Sequence, residues 1–81
     1  MSEIDLAAIK ARCDRATDGP WNVRELPLDY AEVSDRDSNT VADAWHINDA
    51  YFIANARTDV PALVAEVERL RAEVERLTNE R

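Results

Sequence analysis

The last third of the chain carries a seven-residue repeat, which restricts this segment to a long amphipathic helix. The repeat consists of alternating valines and leucines at Val60, Leu63, Val67, Leu70, Val74 and Leu77. Valine at the a position and leucine at d favour two parallel helices wound around each other, with Glu66 at g facing Arg71 at e of the other helix. The alternative is that the stripe packs against the chain's own sheet and first helix. About three heptads are marginal for an isolated coiled coil.

Directly before the repeat, the sequence predicts a short helix, a tight joint and the start of a second helix. Asn48 is suited to cap the first helix, and Thr58 or Asp59 to cap the second. Pro61 then falls in the first turn of the second helix, where a missing N–H has no cost. These signals predict helices over about 49–57 and 60–79.

The predicted joint would bring Asn55, Arg57 and Asp59 close together at a corner between two helices. Arg57 is the best placed arginine for holding an anion, because the free N–H groups at a helix N-terminus also attract negative charge. The alternative for Arg57 is a salt bridge to Asp59 or Asp49. Such a corner can be a packing device or a binding site, and the sequence favours neither.

The first twenty residues predict a helix over about 3–17. Ser2 followed by Asp5 resembles a capping box. Apolar side chains then recur at spacings of three and four on one helix face, at Leu6, Ile9, Cys13 and Ala16. Gly19-Pro20 should end the helix, because glycine can adopt the left-handed conformation and proline cannot continue the hydrogen-bond ladder.

Residues 21–45 change to the alternating pattern that is typical of strands. Trp21 begins an alternation with polar residues, Pro27 interrupts the run, and a polar turn over 34–39 separates two further strand candidates. The change of period predicts an α+β fold. We expect one domain over 1–81, with an N-terminal helix, a small antiparallel sheet, a short helix and a long C-terminal helix with coiled-coil heptads.

The composition is acidic along the whole chain, with 17 acidic and 10 basic residues and a formal charge of −7. The absence of a basic segment argues against binding to duplex nucleic acid. Cys13 is the only cysteine, and we find neither a signal-peptide pattern nor an apolar run of membrane-spanning length, so we expect a cytoplasmic protein without a membrane partner. The small size and the heptads predict a homodimer or a higher symmetric oligomer.

Few residues are candidates for catalysis or metal binding. Cys13 lies on an apolar helix face, where a thiol behaves as a small hydrophobe, and His46 has no apparent partner. Segment 35–46 opens like a calcium-binding loop, but it has Thr40 where glycine is needed and His46 where glutamate is needed. We therefore expect an acidic turn there and no catalytic residue, cofactor or metal site.

The aromatic residues other than Phe52 are numerous for such an acidic domain: Trp21, Tyr30, Trp45 and Tyr51. They can fill a core that is otherwise poor in large side chains, where a tryptophan needs only a partner for its N–H. Alternatively, one or two of them are exposed as platforms on which a nucleobase stacks. Trp21 is the best candidate for stacking, because Gly19-Pro20 fixes where its strand begins.

Two phrases resemble those of small phage and prophage proteins, many of them labelled Ea22-like. They are Ala-Thr-Asp-Gly-Pro-Trp at residues 16–21, and residues 49–63 with the run Phe-Ile-Ala-Asn-Ala-Arg. The pattern in these proteins is an N-terminal helix, a Thr-x-Gly-Pro-Trp phrase, a variable sheet and a Phe-Ile-Ala-x-Ala-Arg corner. The resemblance covers both ends of the chain and skips residues 22–47.

The chain is also similar to the phage anti-Thoeris sponge family, whose members bind cyclic ADP-ribose signals, and in some cases cyclic oligonucleotides, without cleaving them. This resemblance implies a dimer or trimer of dimers in the host cytoplasm that counteracts anti-phage defence. It also implies that Trp21 stacks on the nucleobase and that Arg57 holds the pyrophosphate. Asn55, Tyr51 and Asp59 complete the set of candidate ligand-binding residues.

A second class of function is an accessory structural or interaction protein that uses its C-terminal helix for protein–protein contacts and binds no ligand. The positions of Trp21, Tyr51 and Arg57 distinguish the two classes. A shared open pocket with an aromatic face and a guanidinium favours the binding protein. Burial of all three side chains favours the interaction protein.

Overall fold

The chain runs from a helix through three strands into one long helix, which confirms the predicted α+β class. The computed structural model describes residues 4–80. Its elements are α1 (Leu6–Arg15), β1 (Asn22–Leu26), β2 (Tyr30–Ser34), β3 (Thr40–Ala44) and α2 (Ile47–Asn79).

The three strands form an antiparallel meander in the order β1-β2-β3. Ala31 and Val33 of the central strand are fully buried, and they face the first half of α2. Ala50 and Ala54 of α2 complete this core from the helix side. Because most of these side chains are small, the helix can approach the sheet closely, and the core contains few large residues.

The predicted break at Pro27 and the predicted polar turn are both present. Pro27 begins the β1–β2 loop, in which Leu28 and Asp29 both adopt positive φ values, of 65° and 61°. In the β2–β3 turn, the Asp35 carboxylate accepts hydrogen bonds from the backbone N–H groups of Asp37 and Asn39, each at 2.9 Å. Segment 35–39 is therefore an acidic turn whose own Asp35 carboxylate accepts hydrogen bonds from its backbone.

Helix α1 is shorter than the predicted 3–17. Its N-cap is Asp5, whose side chain accepts a hydrogen bond from the Ala8 N–H at 3.0 Å, and Ser2 lies outside the described residues. The predicted apolar face is confirmed, because Leu6, Ile9, Cys13 and Ala16 are all half-buried. The helix ends at Ala16 with an extended backbone, and Gly19 has no positive φ, so the predicted left-handed glycine is wrong.

The predicted joint between two helices is also wrong, because α2 is continuous from Ile47 to Asn79 and contains Pro61 in its interior. A proline there cannot donate to the carbonyl four residues earlier, at Arg57, and normally favours a break. Here the helix packs on the sheet before Pro61 through Ala54 and on α1 after it through the buried Val64. Tertiary contacts on both sides therefore keep the helix continuous.

The predicted N-cap of this helix is displaced as well. The N-cap residue is His46, which lies two residues before Asn48, and the helix begins at Ile47. The His46 side chain makes no capping hydrogen bond. Instead, the carboxylate of Asp29 accepts a hydrogen bond from the Ile47 N–H at 3.1 Å and lies 3.0 Å from His46 Nδ1. A residue of the β1–β2 loop thus caps α2, which a local sequence pattern could not indicate.

Candidate functional site

A cleft between α1 and α2 brings together two of the predicted site residues, Trp21 and Arg57. This α1–α2 cleft has a volume of about 200 Å³. It is lined by Ile9, Arg12, Cys13, Ala16, Trp21, Ala56, Arg57 and Val60. The lining contains two arginines and no acidic residue, although the chain as a whole is strongly acidic.

Trp21 is half-buried, and its ring both packs on the core and lines the cleft. The indole packs against the hydrophobic core, and its Nε1–H donates a hydrogen bond to the backbone carbonyl of Thr17 at 3.0 Å. The same side chain also lines the α1–α2 cleft. The N–H partner therefore fixes the orientation of a ring that is available to the cleft.

Arg57 approaches the chain segment that precedes Trp21. A Cβ atom added to Gly19 would lie only 2.9 Å from Arg57 Cγ, so the glycine provides the space that the arginine stem occupies. Arg57 Nε is buried and has no hydrogen-bond partner within residues 4–80. Since a buried N–H without a partner is costly, this donor is the group in the cleft that would gain most from an acceptor.

The alternative expected for Arg57, a salt bridge to Asp49 or Asp59, does not occur among the described residues. The second arginine of the cleft, Arg12, was missed by the sequence analysis. Its only signal is its position three residues after Ile9 and four before Ala16, at the edge of the apolar face of α1.

The other three predicted site residues do not join this cleft. On a continuous helix, residues two positions apart point in nearly opposite directions, so Asn55 and Asp59 face away from Arg57. Tyr51, Asn55 and Asp59 line a separate groove of about 420 Å³ along α2. The predicted corner that would gather Asn55, Arg57 and Asp59 is therefore wrong.

Polar contacts already engage two members of this second groove. The Tyr51 hydroxyl donates to Glu25 Oε2 at 2.6 Å, and this hydrogen bond is the main reason why the pKa of Tyr51 is raised. Asn55 Nδ2 donates to the backbone carbonyl of Tyr51 at 2.8 Å. Asp59 adds a negative charge to the groove, which disfavours a phosphate there.

The structure does not bring Cys13 and His46 together. Cys13 lines the clefts between the two helices, whereas His46 contacts Asp29 in the β1–β2 loop. Among residues 4–80, no group of three or more histidine, cysteine, aspartate or glutamate side chains is arranged to hold a metal ion.

The most exposed aromatic side chains are Trp45 and Phe52. Trp45 is one of the four aromatic residues of which one or two were expected to be exposed, whereas Phe52 was not a candidate. Trp45 is 82 % exposed and stacks edge-on against Tyr30, with ring centroids 5.8 Å apart. Phe52 is 79 % exposed and lies on the same side of α2 as the heptad leucines. Its position eleven residues before Leu63, three helical turns away, is the signal that could have identified it.

Comparisons with protein-family models, with curated proteins and with solved structures find no match for this chain. The likeness to the phage proteins therefore rests on the two sequence phrases alone. Neither helix in the described part of the chain combines the length and the apolar character that crossing a membrane would require.

Proposed function

We propose that this chain is a non-enzymatic, phage-type binding protein that sequesters a small cyclic nucleotide signal in the host cytoplasm and thereby counteracts anti-phage defence. The ligand class is a cyclic ADP-ribose isomer or a cyclic oligonucleotide. The observation that carries the proposal is the α1–α2 cleft, in which an indole and a partly buried guanidinium line one cavity.

The chemistry of the cleft suits a ligand that combines a phosphate with a flat ring. Arg57 lines the cleft, and its fully buried Nε has no acceptor, so a turn of the side chain toward the cleft would let a phosphate oxygen accept a charge-assisted hydrogen bond from it. Arg12 adds a second positive charge at the same cleft. Trp21 offers a ring against which a base can stack, an interaction of about 1–3 kcal/mol.

The size of the cleft limits what one chain can hold. A volume of about 200 Å³ is below the range of roughly 300–1,000 Å³ that is usual for small-molecule sites. One phosphate and part of a base would fit, and the rest of a cyclic nucleotide would extend beyond the cleft. The ligand would therefore be held by short-range contacts, since the net charge of −7 repels an anion at long range.

The direct test is calorimetry, with a thermal-shift assay, against cyclic ADP-ribose isomers and cyclic di- and trinucleotides. We expect one class to bind and to be recovered unchanged after the protein is denatured. Recovery of a hydrolysed product would instead indicate an enzyme. If none of these compounds binds, the proposed function is wrong.

Arg57→Ala should abolish binding, because it removes the buried donor and the main positive charge of the cleft. Arg69→Ala is the matched control, since Arg69 is also on α2 but pairs with Glu66 outside the cleft. Trp21→Ala should weaken binding by at most a few kcal/mol. Because Trp21 also packs on the core, unfolding of this variant must be measured in parallel. Unchanged affinity in Arg57→Ala would exclude the cleft as the site.

A second candidate is an accessory interaction protein that binds no ligand and uses α2 for contacts with other proteins. The observation that favours it is the exposure of large apolar side chains along α2, including Phe52, Leu63 and Val74. Absence of nucleotide binding together with stable association through α2 would select this second function.

A further inference from the structure

We propose that α2 pairs with α2 of a second copy of this chain as a parallel, in-register coiled coil centred on Leu70. This inference is independent of the nucleotide proposal. It rests on an exposed apolar stripe along α2 and on the arrangement of charges beside it. The stripe consists of Phe52, Leu63, Leu70, Val74 and Leu77, which are 79 %, 62 %, 48 %, 63 % and 52 % exposed.

The stripe is narrow and straight. At about 100° per residue on an α-helix, its five side chains fall within about 60° of one another around the helix axis. Five large apolar side chains in one line on a soluble helix indicate a contact surface rather than scattered exposure. The expectation that the heptad stripe packs on the chain's own first helix holds for Val60 and Val67, which are half-buried beside α1. Leu63 borders the same apolar hollow but keeps most of its surface exposed.

The last turns of α2, from residue 69 onward, have no partner element in the described part of the chain. The last polar contact between α2 and another element is the salt bridge from Lys10 to Glu68 at 3.2 Å. Beyond it, the hydrogen bonds and salt bridges of residues 69–80 stay within α2 and its C-cap residue, Glu80. Packing of the first part of α2 already nucleates this helix, so a second helix would contribute mainly by burying the apolar side chains of the last turns.

The charges beside the stripe specify a copy of the same helix. The g positions carry acids at Asp59, Glu66, Glu73 and Glu80. The exposed e positions carry Arg71 and Thr78, whereas the earlier e residues, Arg57 and Val64, face α1. In a parallel pair each g row faces the e row of the other helix, which places Glu66 beside Arg71 twice by symmetry. Arg71 makes no salt bridge within residues 4–80, so it is free for this contact.

An antiparallel pair is disfavoured by the same charges. It would place the g row against the g row of the other helix, with acids opposite acids. Like charges in such contacts repel, and the e rows would gain nothing in return. The parallel arrangement also places both sheets, and both α1–α2 clefts, at the same end of the coiled coil.

Sedimentation equilibrium of the full chain tests the association. We expect a dimer at micromolar concentration and a dissociation constant at least about 100-fold higher for Leu70→Glu, because a leucine that the dimer buries would be replaced by a charge. Ala72→Glu is the matched control, since residue 72 lies outside the a, d, e and g positions, and it should remain dimeric. A wild-type chain that stays monomeric up to several hundred micromolar would overturn the proposal.

Charge reversal tests whether the two helices are parallel or antiparallel. Glu66→Arg should weaken the dimer about 5-fold or more by placing arginine beside Arg71, and the double exchange Glu66→Arg with Arg71→Glu should restore it. Arg69→Ala breaks the internal Glu66–Arg69 pair alone and should leave the dimer unchanged. A tighter dimer in Glu66→Arg would show the antiparallel arrangement and overturn the parallel one.

Disulfide trapping gives a second measure of register. In a Cys13→Ala background, Leu77→Cys should form a covalent dimer on oxidation, because a parallel pair places the two copies of residue 77 side by side. Ala72→Cys should not cross-link. Failure of Leu77→Cys to cross-link in a chain that is otherwise dimeric would also contradict the in-register parallel pair.

Discussion

Two consecutive residues of the β1–β2 loop have left-handed backbone conformations that their side chains do not favour. Leu28 has φ 65° and is 97 % exposed, so it accepts a strained conformation without gaining buried area. Asp29, next to it, has φ 61° and uses this position to reach the N-terminus of α2. Both residues are the central pair of a hairpin turn closed by a hydrogen bond from the Tyr30 N–H to the Pro27 carbonyl at 3.4 Å, and positive φ at both positions is what this turn type requires.

Leu28→Asn should therefore stabilise the protein by about 1 kcal/mol, because asparagine tolerates positive φ better than a leucine does. Chemical denaturation measures the change. Leu28→Ala is the matched control, since it removes the exposed side chain but keeps the backbone penalty, and it should be nearly neutral. Equal gains in both variants would mean that exposure of the leucine, and not its backbone, is unfavourable.

The Asp29 carboxylate also makes stability depend on pH. Its pKa lies below the ordinary value of 3.8, mainly because it accepts the Ile47 N–H and also because it contacts His46. A carboxylate with a lowered folded-state pKa contributes its stabilisation above its ordinary pKa and loses it as the pH falls through the lowered value. Asp35 behaves in the same direction, mainly because of the Asn39 N–H.

We expect the melting temperature to fall as the pH is lowered from about 5 to below 3.8, and the fall to be shallower in Asp29→Asn. Asp37→Asn serves as control, because the Asp37 carboxylate accepts no hydrogen bond within the described residues, and it should keep the wild-type slope. The same slope in wild type and Asp29→Asn would rule out the proposed link.

At the scale of the element, α2 keeps a proline in its interior at the expense of one backbone hydrogen bond. Pro61→Ala should restore the N–H donor to the Arg57 carbonyl and stabilise the protein by about 1 kcal/mol or more. The gain should be less than the full helix penalty of proline, because the Pro61 ring also lines the contact with α1.

Pro27→Ala is the control for this substitution, since Pro27 lies in the β1–β2 loop and no helical hydrogen bond can be gained there. Thermal unfolding compares the two variants. If Pro61→Ala is destabilising, the packing of the ring on α1 is worth more than the hydrogen bond.

At the scale of the whole molecule, the structure divides into a compact body and a projecting helix. The molecule measures 60 × 27 × 16 Å. Its longest dimension is only a little greater than the length of α2, which is roughly 50 Å for 33 residues. The core lies between the sheet and the first half of α2, with α1 packed alongside. The last turns of α2 contribute nothing to that core.

Removal of residues 69–81 should therefore preserve the sheet and the α1–α2 contact while abolishing the proposed dimer. Circular dichroism should show a loss of helical signal limited to the deleted turns, and sedimentation should show a monomer. Complete unfolding of the shortened chain at concentrations where the full chain is dimeric would show instead that the body depends on the dimer for its stability.

Local patterns in the sequence were sufficient for the element types. The spacing of Leu6, Ile9 and Cys13 predicted the packed face of α1, and the polar run over 34–39 predicted the turn between two strands. The seven-residue repeat predicted a long helix. These predictions succeed because side-chain period and turn chemistry act over a few residues, and the surrounding fold does not oppose them.

Long-range contacts decided the rest. Asp29 replaces Asn48 at the start of α2, and packing on both sides of Pro61 carries the helix across a residue that locally favours a break. The pairing of Trp21 with Arg57, and the separation of Arg57 from Asn55, follow from that continuity. Such contacts join residues far apart in sequence, and their combined energy exceeds local preferences of about 1–3 kcal/mol, so only the tertiary structure could determine the site.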